Sequence, residues 1–380
     1  MQRCCSTTLP RLAASARPSF ATPPLRNAFH DIAITRTGKP IIRTPGGGRS
    51  SIGGHTVTVF GATGFLGRYI VNRLARSGCT VVIPYREEMY KRHLKVAGDL
   101  GKVVFIEYDL RNTNSIEESV RHSDIVFNLV GRDYPTKNFS YADVHIEGTQ
   151  RIVEAVAKYD CDRYIHVSSY NADPKSPSQF FATKAQGEIE ARNIYPETTI
   201  VRPSPMYGFE DRLLHPIARG TDIFSANHWQ QKLYPVHVID VGRALEIMAY
   251  DDSTAGETYE LYGPREYSKQ QIARLIYKMM LREKMHINLP KPIMMMVAKA
   301  LDFVWWPTYA QDEVAREFID QVIDKNAKTF KDLGIKPAEL DETAFQYIRD
   351  YRSSSVYDLP PMTEKEKREE REYQTIVSDM

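Results

Sequence analysis

The sequence contains few cysteines, little net charge and no long uninterrupted run of apolar residues. Only four of 380 residues are cysteine. The two beyond the N-terminus, Cys79 and Cys161, match no metal-ligand spacing or disulfide pattern, and such a set cannot hold an iron–sulfur cluster. A formal net charge of only +2 gives no indication of nucleic-acid binding. We therefore expect a globular protein without a metal site, in a reducing compartment and without a nucleic-acid partner.

The first thirty residues contain no acidic residue, because the first acid is Asp31. They contain four arginines and several serines and threonines, so they can form a positively charged amphipathic helix of the kind that mitochondrial import requires. The uninterrupted apolar segment of a secretory signal is missing. We predict a mitochondrial presequence at residues 1–30. A disordered basic tail is the alternative.

From Thr56 onward, short apolar segments alternate with helical patterns. Strands are predicted at His55–Phe60, Thr80–Ile83, Val103–Tyr108, Ile125–Val130, Tyr164–Val167 and Thr198–Val201. This alternation predicts an α/β fold: a doubly wound, Rossmann-type parallel sheet with a smaller mixed C-terminal lobe. We expect the sheet domain over residues 54–202, the lobe over 203–352 and a charged tail over 353–380. The chain should return to the sheet near 234–250, where Asp240 is a candidate helix N-cap.

A glycine motif lies between the first strand and the first helix. Backbone N–H groups at a helix N-terminus attract phosphate, and glycine lets the backbone approach it closely. This context favours a dinucleotide site over a plain tight turn, which is the alternative. The predicted contacts of the loop are Gly61, Thr63, Gly64, Phe65, Leu66 and Gly67.

The G-x-x-G-x-x-G spacing resembles that of the extended and atypical short-chain dehydrogenase/reductase superfamily, over roughly residues 54–265. After the second strand, Arg86 stands where NAD-specific members carry an acid, and its planar fork suits a 2′-phosphate. This favours NADPH. Glu87 and Glu88 lie close enough to keep NAD as an alternative. A second alternative is that Arg86 is a solvated arginine with acidic neighbours. The resemblance implies further cofactor contacts at Asp109, Leu110, Asn128, Val130, Gly131, Val167, Ser168, Lys184, Pro203 and Ser204.

The position of the expected proton donor holds no tyrosine. Active members of the superfamily place a tyrosine four residues before a lysine on one helix, and here Phe180 stands four residues before Lys184. The superfamily's Val-Asn pattern is also altered, since His145 follows Val144. We therefore predict no catalytic residue, with Tyr170 as the alternative donor. We predict that Lys184 is a cofactor ligand. The alternative is a surface lysine that pairs with Glu188, four residues later.

The C-terminal third contains an apolar stretch at residues 292–306, interrupted by Lys299 and Asp302. About fifteen residues cannot span a bilayer. Their methionines and tryptophans favour either a partner surface or peripheral contact with membrane lipid, and a core helix of the lobe is an equal alternative. Residues 362–373 are a mixed-charge run, typical of a solvated helix, and they fit either a tail along a partner or a frayed terminus.

Taken together, the presequence and several short motifs resemble one narrower family, the dehydrogenase-like accessory subunits of mitochondrial complex I. The motifs are residues 61–68, 83–86, 128–132 and 202–204. The resemblance implies a non-catalytic protein that holds a structural NADPH, has other complex I subunits as partners and lies peripherally on the matrix side of the inner membrane. The alternatives are an active NADP-dependent reductase or epimerase of the same superfamily and an NADP(H)-sensing regulatory protein.

Overall fold

The computed structural model describes residues 31–34, 38, 40–43, 54–221, 224–281, 286–301, 310–352 and 364–369. The predicted presequence lies outside the described residues. So do residues 302–306 of the apolar stretch and residues 353–363 and 370–380 of the predicted tail.

The described residues form fifteen short strands, eleven α-helices up to residue 348 and a short helical segment at residues 364–369. The strands are β1 (Asp31–Ile34), β2 (Pro40–Arg43), β3 (Thr56–Phe60), β4 (Thr80–Tyr85), β5 (Val103–Glu107), β6 (Ile125–Asn128), β7 (Arg163–Val167), β8 (Thr199–Pro203), β9 (Met206–Tyr207), β10 (Phe224–Ser225), β11 (Lys232–Leu233), β12 (Val236–His237), β13 (Thr258–Leu261), β14 (Tyr267–Ser268) and β15 (Ile287–Asn288). The helices are α1 (Phe65–Arg76), α2 (Glu88–Lys91), α3 (Thr113–Val120), α4 (Gly148–Lys158), α5 (Gln179–Ile194), α6 (His215–Arg219), α7 (Val238–Tyr250), α8 (Lys269–Met280), α9 (Lys291–Leu301), α10 (Gln311–Arg316) and α11 (Leu340–Ile348).

Seven of the strands form one parallel sheet, in the order β13-β8-β7-β6-β3-β4-β5. The order reverses between β3 and β6, so a crevice opens there beyond the carboxyl ends of the strands. All five residues of β7 and all four of β6 are buried, as expected for a sheet covered on both faces. The predicted doubly wound Rossmann-type fold is confirmed.

The fourth predicted strand ends two residues early, at Asn128 instead of Val130. The side-chain oxygen of Asn128 accepts the backbone N–H of Val130 at 3.0 Å. Because this local bond uses an N–H group that a sheet ladder would need, the chain leaves the sheet there. The turn carries residues 129–131 out over the crevice, where they border the site described below.

Helices cover both faces of the sheet. The predicted apolar stripe of α1, Leu66, Ile70 and Leu74, is buried against β3 and α7. On the other face, α3, α4 and the end of α5 share a second apolar cluster. Asp240 is not the N-cap of α7, because the helix begins at Val238 and His237 occupies that position. The Asp240 carboxylate instead accepts the backbone N–H of Ala338 at 2.8 Å and holds the C-terminal region against α7.

A second lobe stands beyond the carboxyl ends of the strands. Helices α6, α8 and α11 pack around the buried Trp229, and α8 begins with a capping box formed by Ser268 and Gln271. Helix α9 packs through Met294 and Ala298 onto Val314 of α10. Short strand pairs complete the lobe, and β1 and β2 form a separate hairpin near the N-terminus.

Two predicted segments have simple outcomes. Residues 364–369 of the mixed-charge run are helical and lie at the surface, as a solvated helix requires. Throughout the part of the chain that the structure describes, no helix is both long and apolar enough to cross a bilayer.

Candidate functional site

The glycine loop between β3 and α1 is shaped by close backbone contacts. Gly61 has φ +78°, and an added Cβ would lie 2.9 Å from the carbonyl carbon of Leu129. An added Cβ at Gly67 would lie 2.4 Å from the carbonyl oxygen of Ala62. Neither position can accept a side chain without moving backbone, so these two glycines are required by the fold itself.

Gly64 differs from its two neighbours in the motif. It is the N-cap of α1 in an extended conformation, and an added Cβ would meet only the Gly61 carbonyl, at 3.3 Å. No side chain caps α1, and its first turn contains no acid. The first amides of this twelve-residue helix therefore face the crevice with the positive end of the helix dipole, which suits a phosphate.

The far end of the crevice is bordered by the ends of β4 and β5. Arg86 and Asp109 follow these two adjacent strands and are both exposed, while Leu110 is buried. Of the two acids that kept NAD open, Glu88 has its carboxylate 3.7 Å from the Lys91 ammonium. Lys91, whose nitrogen lies 3.7 Å from the centre of the Tyr85 ring, is a second cation here that we did not predict.

Lys184 is buried beneath the crevice, not on the surface. Its ammonium nitrogen donates to the carbonyl oxygens of Val130 (3.3 Å) and Val167 (3.4 Å). Burial lowers the pKa of Lys184 to about 8, although Glu188 opposes the shift. The surface pairing with Glu188 is wrong, because that carboxylate binds the guanidinium of Arg202 at 2.6 and 3.0 Å.

Asn128 and Gly131 line the wall next to Lys184. Buried Asn128 donates through its amide nitrogen to the hydroxyl of Tyr164 at 3.1 Å, and the same nitrogen lies 3.3 Å from Nδ1 of His166. An added Cβ at Gly131 would lie 2.8 Å from the Lys184 ammonium nitrogen. Glycine at 131 therefore keeps the lysine close to the crevice.

Two buried polar atoms beside Lys184 lack a hydrogen-bond partner among the described residues. They are the hydroxyl of Ser168 and Nε2 of His166. Burial, with the nearby charge of Lys184, lowers the pKa of His166 to about 3, so its ring is neutral at physiological pH. Buried polar atoms are normally paired, so this pair indicates a place for polar groups of a ligand. We did not predict His166, although it lies on β7, two residues before Ser168.

The position of the expected proton donor is an aromatic cluster. Phe180 is buried against Tyr141, Phe181 and the imidazole of His145. His145 lies in a π-helical turn, Asp143–Glu147, that leads into α4. Turns of this kind recur at functional sites in proteins.

The hydrogen bonds of His145 assign it a structural role. Its Nε2 accepts the N–H of Arg132 at 3.2 Å, and its Nδ1 lies 2.9 Å from the hydroxyl of Thr183. Burial is the main reason that the pKa of His145 is lowered to about 2, so the ring is neutral. It therefore fixes the loop at residue 132 to α5, and it stays neutral instead of gaining a second proton near neutral pH.

The alternative donor, Tyr170, packs against Phe181 with ring centres 5.2 Å apart. Burial raises its pKa, which makes it a weaker acid. At the end of β8, the hydroxyl of Ser204 is hydrogen-bonded by the side-chain amide of Gln321. The predicted contacts thus lie along the carboxyl edge of the sheet, and their roles toward a cofactor stay predictions.

Comparison with known proteins identifies the family. The sequence model of the NAD dependent epimerase/dehydratase family matches residues 57–215. The mitochondrial NADH-ubiquinone oxidoreductase 40 kDa subunit of Neurospora crassa is 65% identical over 92% of this chain and 93% of that one. The mitochondrial NADH dehydrogenase [ubiquinone] 1 alpha subcomplex subunit 9 of Mus musculus is 36% identical over 90% of each chain. This chain belongs to that subunit family. The predicted resemblance is confirmed.

A solved structure shows the fold alone. The NADPH-dependent quinone oxidoreductase QOR2 from Escherichia coli, complexed with NADPH, has a TM-score of 0.61 and 16% identity. The match covers 77% of this chain and 99% of that one. This chain therefore shares the sheet architecture of that structure and has phenylalanine at position 180.

The residues of the crevice fit a dinucleotide. The uncapped start of α1 suits a pyrophosphate. The unpartnered hydroxyl of Ser168 lies close to the buried ammonium of Lys184, and the resemblance implies that both residues contact the cofactor. Among the described residues, no group of acids, histidines and cysteines could hold a metal ion.

Proposed function

We propose that this chain is a non-catalytic accessory subunit of mitochondrial complex I that holds NADPH as a structural cofactor. The observation that carries the proposal is the pairing of a retained binding crevice with Phe180 at the proton-donor position, buried in an aromatic cluster. A phenyl ring has no proton to donate. The chain therefore keeps the residues that we expect to bind the nucleotide but lacks the residue that would donate a proton.

In this proposal the cofactor spans the crevice from the end of β5 to the end of β7. The N–H groups at the start of α1 bind the pyrophosphate, and Arg86 binds the 2′-phosphate. Ser168 and Lys184 bind the hydroxyls of the nicotinamide ribose. NADPH supplies a hydride in the reductases of this fold; here the chain's own residues bind and orient it without placing an acidic hydroxyl at residue 180.

The contribution of the cofactor is energetic. A ligand present at about one hundred times its dissociation constant stabilises the folded state by roughly 2.7 kcal/mol. Typical domains are stable by only about 5–15 kcal/mol, so this is a large share. Because the nucleotide would contact the ends of β3 to β8, its binding would make the whole sheet domain more rigid for assembly with partner subunits.

The proposed location is the matrix side of the inner membrane, peripheral and bound to other complex I subunits. The named relatives support it, since both are mitochondrial subunits of the NADH-ubiquinone enzyme. Helix α9 supports it as well. Its Met294 and Ala298 are core, whereas Ile293, Met296 and Val297 are exposed. We propose that this exposed face contacts a partner subunit or membrane lipid, where the peripheral arm of complex I meets the membrane.

The experiment is to release and count the nucleotide in the native protein. The purified assembly is denatured, and nucleotides are identified and quantified by mass spectrometry against this chain. We expect NADPH close to one per chain, in a preparation that migrates with a large respiratory assembly. An empty or NAD-loaded monomer would contradict the cofactor and the assembly proposals together.

A further inference from the structure

Residues 310–324, which we name the cleft segment, run across the mouth of the crevice on its substrate side. The segment begins at the N-terminus of α5 and ends beside β13. In folds of this kind a second substrate lies beyond the carboxyl ends of the strands, next to the nicotinamide end of the cofactor. Three sets of contacts show that this chain fills that position with its own residues.

The first contact is made by the carboxylate of Asp312 at the start of α5. It accepts the backbone N–H of Gln179 and the hydroxyl of Ser178, both at 2.8 Å, and the N–H of Phe180 at 3.4 Å. The Ser178 side chain does not cap α5 itself. A carboxylate at a helix N-terminus is favourable because it satisfies free N–H groups and opposes the helix dipole. The cap of this helix therefore comes from the cleft segment.

The second contact covers the ring at the proton-donor position. The guanidinium carbon of Arg316 lies 4.7 Å from the centre of the Phe180 ring. Arg316 also donates to the carbonyl oxygen of Asp133 at 3.0 Å, and Ile319 packs on the same aromatic cluster. The Arg316 guanidinium also lies 3.4 Å from the Asp312 carboxylate, so it is held from two sides over the ring at the expected proton-donor position.

The third set of contacts lies at the ends of two adjacent strands, β7 and β8. The Gln321 side chain donates to the hydroxyl of Ser204 and accepts the N–H of Tyr234 at 3.0 Å. Beyond the end of the adjacent strand β7, Asn171 donates to the carbonyl of Asp320 at 2.8 Å and accepts the N–H of Val322 at 2.9 Å. The segment is therefore tied to the ends of β7 and β8 and to the second lobe at once.

We infer that the cleft segment is a built-in occupant of the substrate cleft, which keeps small molecules away from the nicotinamide end of the bound nucleotide. Closure of the cleft follows from the chain's own contacts, while the shielding of a nucleotide rests on the proposed function. Two independent features then block turnover: phenylalanine at position 180 and a cleft already filled. The same contacts make the segment part of the nucleotide site, because its Asp312 caps the helix that carries Lys184.

The test measures how freely a soluble quencher reaches the nicotinamide. Full-length protein is loaded with NADPH, and quenching of NADPH fluorescence by acrylamide is compared with that of free NADPH. The variants are Asp312→Ala with Gln321→Ala, Gln321→Ala alone, and the control Glu313→Ala, which removes an exposed carboxylate from the same helical turn. Each lost hydrogen bond to a charged group shifts the equilibrium of the cleft segment toward the open cleft by about tenfold or more. We expect weak quenching in wild type and control, and several-fold stronger quenching in the double variant.

Hydrogen exchange of the nucleotide-free protein separates this inference from the proposed function. In wild type, the N–H groups of Gln321, Val322 and Asp324 should be protected, since each is hydrogen-bonded. The double variant should lose that protection, and Gln321→Ala part of it. Fast exchange of these amides in wild type, or quenching of bound NADPH as strong as in free solution, would overturn the inference. If no NADPH binds, the proposed function fails, and the exchange pattern alone decides whether the cleft is closed.

Discussion

The two sides of the crevice differ. One side has the features that suit nucleotide binding, and the other lacks the features that a reductase needs for chemistry. On the side of α1, close glycine contacts and an uncapped helix start form the site that we propose for the pyrophosphate. On the side of α5, Phe180, His145 and the cleft segment fill the space where a reductase would hold its substrate. Binding and chemistry depend on different strand ends in this fold, so one can be lost while the other is retained.

The largest expected effect is on the fold beneath the phosphate site. Gly67→Val places a side chain against the Ala62 carbonyl, where even a Cβ would lie at 2.4 Å. Since that neighbour is backbone and cannot rotate away, we expect a loss of about 3 kcal/mol or more in the free energy of unfolding. Urea denaturation measures it. Unchanged stability would show that α1 can shift away from the loop.

Gly64→Val should remove the nucleotide while leaving the fold intact. Its Cβ would meet only one atom, at 3.3 Å, so the side chain points into the space proposed for the pyrophosphate. We expect loss of bound NADPH, less assembled complex and a loss of roughly 2.7 kcal/mol that appears only when NADPH is in large excess. Mass spectrometry and thermal melts with and without NADPH measure it, with Gly64→Ala as the graded control. Normal NADPH content in the valine variant would contradict the phosphate site.

Lys184→Met separates a cofactor ligand from a structural lysine. The folded pKa of about 8 is below the ordinary lysine value of 10.5. Below pH 8 Lys184 is protonated in both the folded and the unfolded chain, and the folded chain carries the full cost of a buried charge. Between pH 8 and 10.5 Lys184 stays protonated only in the unfolded chain. Wild-type stability should therefore rise through that window, by at most about 1.4 kcal/mol per pH unit, relative to the variant.

The same variant should bind NADPH more weakly at pH 7, although without nucleotide it should be at least as stable as wild type. Melting curves across pH, with and without NADPH, test both halves of this expectation. A variant that is less stable than wild type without nucleotide, and unaffected in binding, would assign Lys184 a purely structural role.

The smallest expected effect concerns chemistry. Phe180→Tyr restores the residue type of an active reductase, but the cleft segment still covers the ring with Arg316. We expect a modest loss of stability, about 1–3 kcal/mol, from a hydroxyl buried without a partner, and no oxidation of NADPH by small carbonyl compounds. Steady-state absorbance of NADPH is the measurement, with wild type as the baseline. Turnover in this single variant would show that the cleft is open to substrates.

Local spacing predicted much of the site. The glycine loop, the strand order along the chain and the absence of a tyrosine four residues before Lys184 are all properties of neighbouring residues, where backbone periodicity sets the geometry. The apolar stripe of α1 is of this kind, and it is buried as its spacing predicts. The boundary of β6 escaped prediction, because it depends on whether Asn128 hydrogen-bonds its own backbone.

Partners distant along the chain could not be predicted in this way. The sequence by itself determined a dinucleotide-type loop and a helix without its proton donor, since both depend on residues only a few positions apart. Only the tertiary structure decided that Glu188 binds Arg202 instead of Lys184, and that α5 is capped by an aspartate 133 residues away from Gln179. The physical reason is that such contacts depend on how the whole chain packs, and many residues could have supplied the same carboxylate or guanidinium.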